Sequence, residues 1–134
     1  MSCKSLIYTA MQTPTAVAVN GVIPLGTIVR RYGCNCNLNG NGIAINGQGY
    51  YDVDVSVEAA PAAAGTVTVQ LLKDGVAVPG ATAAATVAAA ADIVTLAFPA
   101  PVRLGCCSTG SVLTLLLTGA TSTVNNVAAR VEKI

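Results

Sequence analysis

The chain has 134 residues and a mass of 13.3 kDa, a length that fits one domain. Charged residues make up 10% of it and the formal net charge is +1, against about 25% charged residues in an ordinary domain. Disorder is excluded by the low polarity and low net charge, nucleic-acid binding by the missing basic footprint, and imidazole-based catalysis or metal ligation by the absence of His. A folded monomer of this mass exposes roughly 6,500 Å², against roughly 19,000 Å² for the unfolded chain. A core of ordinary size is therefore available without a metal or a disulfide.

Taken in chain order, the N-terminus offers one basic residue, Lys4, before the apolar segment Ser5 to Met11. Gln12, Thr13 and Pro14 break that segment after seven residues, which is short for an export signal. Strands are predicted at Val17–Val22 and Thr27–Tyr32, then at Gly42–Ile45. The clearest alternation follows. Tyr51, Val53, Val55 and Val57 share one face, and Asp52, Asp54, Ser56 and Glu58 share the other, the mark of a half-buried strand. Ala59 to Gly65 contains Pro61 and reads as a connection. Thr66–Leu72 and Val76–Gly80 flank Asp74-Gly75, a pair suited to a hairpin turn with positive φ at both central residues. Ala81 to Ala91 is Ala-rich, which leaves helix and strand or loop both open. Further strands are predicted at Asp92–Phe98, Ser111–Leu117 and Val127–Ile134.

Asn20-Gly21, Asn39-Gly40 and Asn46-Gly47 add turn signals between these runs. Short strands at short spacing predict an all-β antiparallel sandwich. The most apolar stretch, Val87 to Val102, carries Asp92, Pro99 and Pro101, so no spanning helix and no membrane partner are expected. The expectation is a chain made in a cytosol without an export signal or a lipid anchor.

Chemistry-bearing residues are few. Asp52, Asp54 and Glu58 offer a weak calcium site, but calcium takes six to eight oxygens from loops that wrap the ion, and a straight strand supplies a row. A solvated strand face is the plainer reading. Five cysteines stand at 3, 34, 36, 106 and 107. Cys34, Cys36, Cys106 and Cys107 together offer four thiolates, yet the gaps of one and zero residues fall short of the usual two to four at zinc sites. Free and mostly buried thiols, a disulfide within or between chains, and a metal site all stay open. Gly40-Asn41-Gly42 and Gly47-Gln48-Gly49 lack the third glycine and the following helix of a phosphate cradle. Ser108 has no base available, and Arg30-Arg31 is the sole adjacent basic pair. No cofactor, catalytic residue or nucleic-acid partner is expected. The apolar excess instead points to surface buried between identical subunits.

Three stretches carry a resemblance. Gly49-Tyr50-Tyr51 leads the alternating strand, Val67 to Gly75 forms a strand and hairpin, and Ser111 to Leu117 precedes a terminal strand, Val127 to Ile134. From about Ile43 onward this order resembles the trimeric jelly-roll family of C1q and tumour necrosis factor. The resemblance implies a jelly-roll sandwich over residues 27–134, an N-terminal segment 1–26 free to contact a shell, and a last strand near a three-fold axis. It implies Tyr50, Tyr51, Leu115, Leu117 and Val131 as trimer-interface candidates. Within the family, a jelly roll without a stalk or export signal looks most like a phage head-decoration or head-fibre protein. The implied partners are two further copies of the chain and a major capsid or other virion protein, at a virion surface. A receptor- or glycan-binding tip, or a spore- or cell-surface protein, is the alternative.

Overall fold

The computed structural model describes residues 5–90, 92–105 and 110–134. Eleven strands are described: β1 (Leu6–Met11), β2 (Thr15–Val17), β3 (Thr27–Tyr32), β4 (Cys36–Asn39), β5 (Gly42–Ile45), β6 (Gly49–Pro61), β7 (Gly65–Lys73), β8 (Val76–Val87), β9 (Val94–Leu104), β10 (Ser111–Thr118) and β11 (Ser122–Lys133). They form two antiparallel sheets. One runs β3-β1-β11-β6-β9, with β2 also on β11, and the other runs β4-β5-β10-β7-β8. The architecture is the expected jelly-roll sandwich. The accessible surface of 6584 Å² is that of an ordinary folded monomer of this mass.

Period-two alternation builds the core. Tyr51, Val53, Val55 and Val57 of β6 and Val127, Ala129 and Val131 of β11 point inward from the first sheet. Val67, Val69 and Leu71 of β7 and Leu113, Leu115 and Leu117 of β10 meet them from the second. Each buried Val or Leu removes enough apolar area from water to contribute roughly 1.5–3 kcal/mol.

The Ala-rich stretch is strand as far as Val87. β8 spans Val76 to Val87 with a register shift on β7 between Thr82 and Ala77, where Gly80 has φ 80°, and Ala81 is buried with Ala83 and Ala85 packed against the core. Small inward side chains fit beneath β7. Thr86 and Thr66 join their hydroxyls across the strands at 2.9 Å, and the Thr82 hydroxyl donates to the Val69 carbonyl at 3.2 Å. Cross-strand partners outweigh Ala's local preference for helix. The Asp74-Gly75 turn takes φ of 52° and 82°, as its residues predict.

Three expectations need correction. The strand expected at Val17–Val22 is not formed: β2 ends at Val17, a turn follows, and Val22 makes an isolated bridge to Leu116. Asn20 has φ 63°, and the Gly21 amide donates to the Ala18 carbonyl at 2.9 Å. There the chain crosses from one sheet to the other, and the Ile23 amide donates to the Leu115 carbonyl at 2.9 Å. The connection expected at Ala59–Gly65 is shorter, because β6 continues through Pro61, paired with Ser122. The boundary between residues 26 and 27 is not a boundary of packing. β1 lies between β3 and β11, and Ile7, Met11, Val17, Ile23 and Leu25 are core residues. The described part of segment 1–26 belongs to the sandwich, so deleting residues 2–14 would remove a sheet strand.

Two polar details set stability. Thr9 is fully buried on β1, and its hydroxyl has no hydrogen-bond partner among the described residues. An unpaired buried hydroxyl costs free energy that an isosteric methyl does not. Thr9→Val is expected to stabilise the fold by about 1 kcal/mol, seen as a rise of a few degrees in Tm. Asp74 clamps the hairpin tip to β10. Its amide donates to the Val112 carbonyl at 2.9 Å, and its carboxylate accepts from the Val112 amide at 2.9 Å. That amide, then the Ser111 hydroxyl, holds the Asp74 carboxyl below its ordinary pKa. A depressed carboxyl contributes stability that is present above its unfolded pKa and lost as pH falls through its folded value. Asp74→Ala also strains the positive-φ position and is expected to cost on the order of 1 kcal/mol in denaturant titrations at pH 7. Asp74→Asn, which keeps an acceptor and tolerates this φ, is expected to cost less.

Candidate functional site

The outer face of the first sheet gathers most of the chain's charge. Alternation turns Tyr8 and Ala10 of β1, Ala128, Arg130 and Glu132 of β11, and Asp52, Asp54, Ser56 and Glu58 of β6 away from the core. Register then sets the rows. Tyr8 lies opposite Arg130, Arg130 opposite Asp54, and Asp54 opposite Pro99. The next row places Ala10, Ala128, Ser56 and Ala97 side by side. The small side chains of Ala128 and Ser56 leave a shallow depression of about 240 Å³ walled by Tyr8, Asp54 and Arg130.

Arg130 organises the charges. One guanidinium nitrogen donates to the carboxylates of Asp54 and Asp52, the latter at 3.2 Å, and the other lies 3.9 Å from Glu132. The hydrogen bond to Asp54 is the main reason the Arg130 pKa is raised. All four side chains are more than one-third exposed, so each pair adds little to stability. Three carboxylates against one guanidinium leave the cluster with a formal charge of −2.

The three residues of the weak calcium candidate are not brought together. Asp52 and Asp54 turn to the Arg130 guanidinium, and Glu58 lies rows away opposite Asn126 and Thr95. Among the described residues no group of three or more acidic or thiol side chains converges to hold a metal ion.

Four of the five interface candidates are corrected as well. Tyr51, Leu115, Leu117 and Val131 are at most 2% exposed within a single chain. Their apolar face meets the opposite sheet and has no surface to offer a second copy. Tyr50, one residue out of phase with Tyr51, is 57% exposed. The sequence reading set Ser56 on this outward face but left out Ala128 and Arg130. The signal for Arg130 was present: a single arginine on the outward phase of the last strand is the natural cross-strand partner for the two aspartates of β6.

Cys34 is exposed and Cys36 buried, and both are free thiols. Cys3, Cys106 and Cys107 lie outside the described residues. Burial pushes the Cys36 thiol up to about 11, partly offset by Arg31 and Lys133. It stays protonated at neutral pH and is a poor nucleophile and metal ligand.

Beside Cys36 lies a polar node that ties three segments together. The Ser5 hydroxyl donates to the Asn35 side-chain oxygen at 2.9 Å, and the Asn35 amide side chain donates to the Asn46 carbonyl at 2.7 Å. The Tyr51 hydroxyl reaches the carbonyls of Asn46 and Gly47, the latter at 2.8 Å. Gly47 has φ 93°, and a Cβ there would lie 2.4 Å from the Asn35 side-chain nitrogen. Only glycine fits this close approach. Burial, then the neighbouring cysteines, pushes Tyr51 up to about 12.

The second sheet presents a different outer face. Thr66, Thr68, Gln70, Thr82, Leu116 and Thr118 point outward there, an uncharged surface of hydroxyls and methyls.

The fold is that of C1q- and TNF-like jelly rolls. Murine APRIL superimposes with a TM-score of 0.75 at 12% identity, covering 98% of this chain and 99% of that one. The globular domain of zebrafish complement 1qA gives 0.72 at 7% identity over 93% and 94%. The PRD1 vertex protein P5 gives 0.61 at 14% identity over 100% and 99%. No family model matches the chain, and no curated protein matches it.

The raised pKa values of Cys36 and Tyr51 give an alkaline prediction. A proton held more tightly in the folded state contributes stability below the unfolded pKa, and this is lost as pH rises through the folded pKa. Stability is expected to fall from about pH 9 to pH 12, the window between the ordinary thiol value and the folded tyrosine value. Denaturant titrations across that range check it, and constant stability would contradict it. Mass-mapped alkylation at pH 7.5 should modify Cys34 in the native protein and Cys36 only after unfolding.

Proposed function

We propose that this protein is a structural component of a phage particle, a jelly roll that associates as a homotrimer and decorates the capsid from the virion surface. The observation that carries this reading is the end-to-end match to a vertex protein, PRD1 P5, over 100% of this chain and 99% of that one. The resemblance to the trimeric jelly-roll family supports self-association. In that family the last strand lies near the trimer axis. Here β11 sits mid-sheet between β1 and β6, and its outer face bears the Tyr8, Ser56 and Ala128 depression. The partners are two further copies of the chain and a major capsid or other virion protein, with synthesis in the host cytoplasm.

The chain acts in this reading by contact and not by catalysis. The buried ionisable groups with resolved shifts, Cys36 and Tyr51, are held protonated. The Asp52, Asp54 and Arg130 carboxylate and guanidinium groups are engaged with one another. A second reading, a receptor- or glycan-binding tip, is favoured by the exposed tyrosines Tyr8, Tyr32 and Tyr50, because aromatic side chains anchor recognition surfaces. Saturable binding on a glycan array, lost in Tyr50→Ala, would select it.

Light scattering on the purified chain tests the trimer. The expected mass is about 40 kDa, three times the 13.3 kDa of one chain, with or without reductant. A monomer at all concentrations would contradict the reading. Antibodies to the chain should then decorate intact particles from the source of the gene, and undecorated particles would contradict the capsid role.

A further inference from the structure

We infer that the groove between β8 and β9, where the two sheets part at the edge of the sandwich, binds a single-chain amphiphile with an anionic head, a free acyl carboxylate. Its alkyl chain lies along Val76, Val78, Pro79 and Pro101, and its head lies between Lys73 and Arg103. Neither the self-association nor the capsid contact proposed above requires this site.

The groove follows from the way β8 is built. Its two legs pair with β7 separately, Val76 and Ala77 with Lys73 and Leu72, and Thr82 to Val87 with Gln70 to Gly65. Between the legs, Val78 to Ala81 stand opposite Leu71 alone. Pro79 has no amide to donate, and Gly80 turns the chain at φ 80°. Such an excess of residues on one strand bends it. A cavity of about 390 Å³ lies between this stretch and Pro101 to Arg103 of β9, within the range of about 300 to 1,000 Å³ usual for ligand pockets. Lys73 ties the two sheets together there, its ammonium donating to the Arg103 carbonyl at 2.8 Å.

The walls are apolar and the head end is cationic. Val76 is 69% exposed, Ala77 and Pro79 are exposed on β8, and Pro101 is exposed on β9. Val78 packs against the core beneath them. Covering these side chains with an alkyl chain removes apolar area from water. The Lys73 ammonium uses one donor on the Arg103 carbonyl and keeps the others. Arg103 is exposed, and no described carboxylate lies within ion-pair distance of it. The acid beside the groove, Asp74, is turned to β10, where it accepts from the Val112 amide at 2.9 Å and from the Ser111 hydroxyl.

These features select the ligand. Two cations at one end of an apolar trough complement an anionic head on an alkyl chain and disfavour a cationic one. Val76 to Pro79 spans about 10 Å at the rise of a strand, a length that about eight to ten extended carbons cover. An extended peptide fits less well. Pro79 and Pro101 lie on edge strands, where proline removes amides that strand addition needs.

Isothermal titration calorimetry of the full chain with sodium decanoate, kept below its micelle concentration, tests this. One decanoate per chain is expected, with Kd below about 1 mM. Decyltrimethylammonium and the uncharged decyl glucoside should bind about tenfold more weakly or worse. Arg103→Gln, which leaves the carbonyl that receives Lys73 in place, is expected to raise Kd about tenfold, and Val76→Ser about threefold. Both side chains are exposed, and circular dichroism confirms that each variant folds. In NMR spectra of the wild type, decanoate should shift the amides of Val76 to Val78 and of Val102 and Arg103. A wild type that binds no decanoate, as when a second copy of the chain covers the groove, overturns the inference. Equal affinity for the three heads, shifts centred elsewhere, or binding to vesicles of anionic phospholipid without binding of free decanoate also overturn it. These outcomes leave the trimer standing, because light scattering decides that separately.

Discussion

The pairing of β11 with β1 on one side and β6 on the other is the interaction on which the rest of the molecule depends. β11 pairs with β6 from Ser122 to Lys133 and with β1 from Val127 to Glu132. From Val127 to Glu132 both of its edges are therefore paired. This brings the two ends of the chain together at the centre of one sheet. Neither β1 nor β3 has another route into that sheet. Backbone amides and carbonyls inside a sandwich must be paired, so placing the last strand in the middle satisfies both neighbours at once. The inward side chains of β11, Val127, Ala129 and Val131, then meet the leucines of β10 across the core. The outward ones, Ala128, Arg130 and Glu132, form the centre of the charged face.

The same strand also shapes the outer face of the first sheet. Its small outward residue Ala128 sits beside Ala10 and Ser56 and opens the depression, and Arg130 gathers the aspartates of β6. The charged face and the uncharged threonine-rich face belong to opposite sheets. With few charges in total, concentrating them on one face gives that face directionality, and electrostatic complementarity fixes register more than it adds affinity. The threonine-rich face carries no comparable orienting charge. The two sheets thus differ in charge while sharing one core.

Much of this was legible in the amino-acid order, and for a physical reason. A strand with one face buried and one solvated must alternate, so Tyr51 to Glu58 declares both its structure and its inward side. Asp74-Gly75 declares its turn through the φ values that only such residues adopt cheaply. Ala81 to Val87 was undecidable locally, because Ala fits a helix and equally fits beneath a neighbouring strand. Its state is set by β7, a tertiary partner. β1 was overlooked because Thr9 and Ala10 dilute its alternation, and its place in the sheet depends on a strand more than 110 residues away. The jelly-roll resemblance, begun at about Ile43, left out the N-terminal strands that complete the first sheet. Tyr51, Leu115, Leu117 and Val131 were assigned to the wrong partner. In a two-layer sandwich the apolar phase of each strand meets the other sheet, and only the opposite phase is left at the surface. That rule separates Tyr50 from Tyr51 and Arg130 from Val131 by the alternation itself.

Native-state hydrogen exchange resolved by residue tests the central place of β11 most directly. The amides of Val127, Ala129 and Val131 should exchange only through global unfolding, with the same free energy as denaturant unfolding, while those of the edge strands β4 and β8 open locally and sooner. Exchange of the β11 amides by a local opening faster than that of β4 or β8 would contradict the account, because the first sheet would then persist without the strand that joins it.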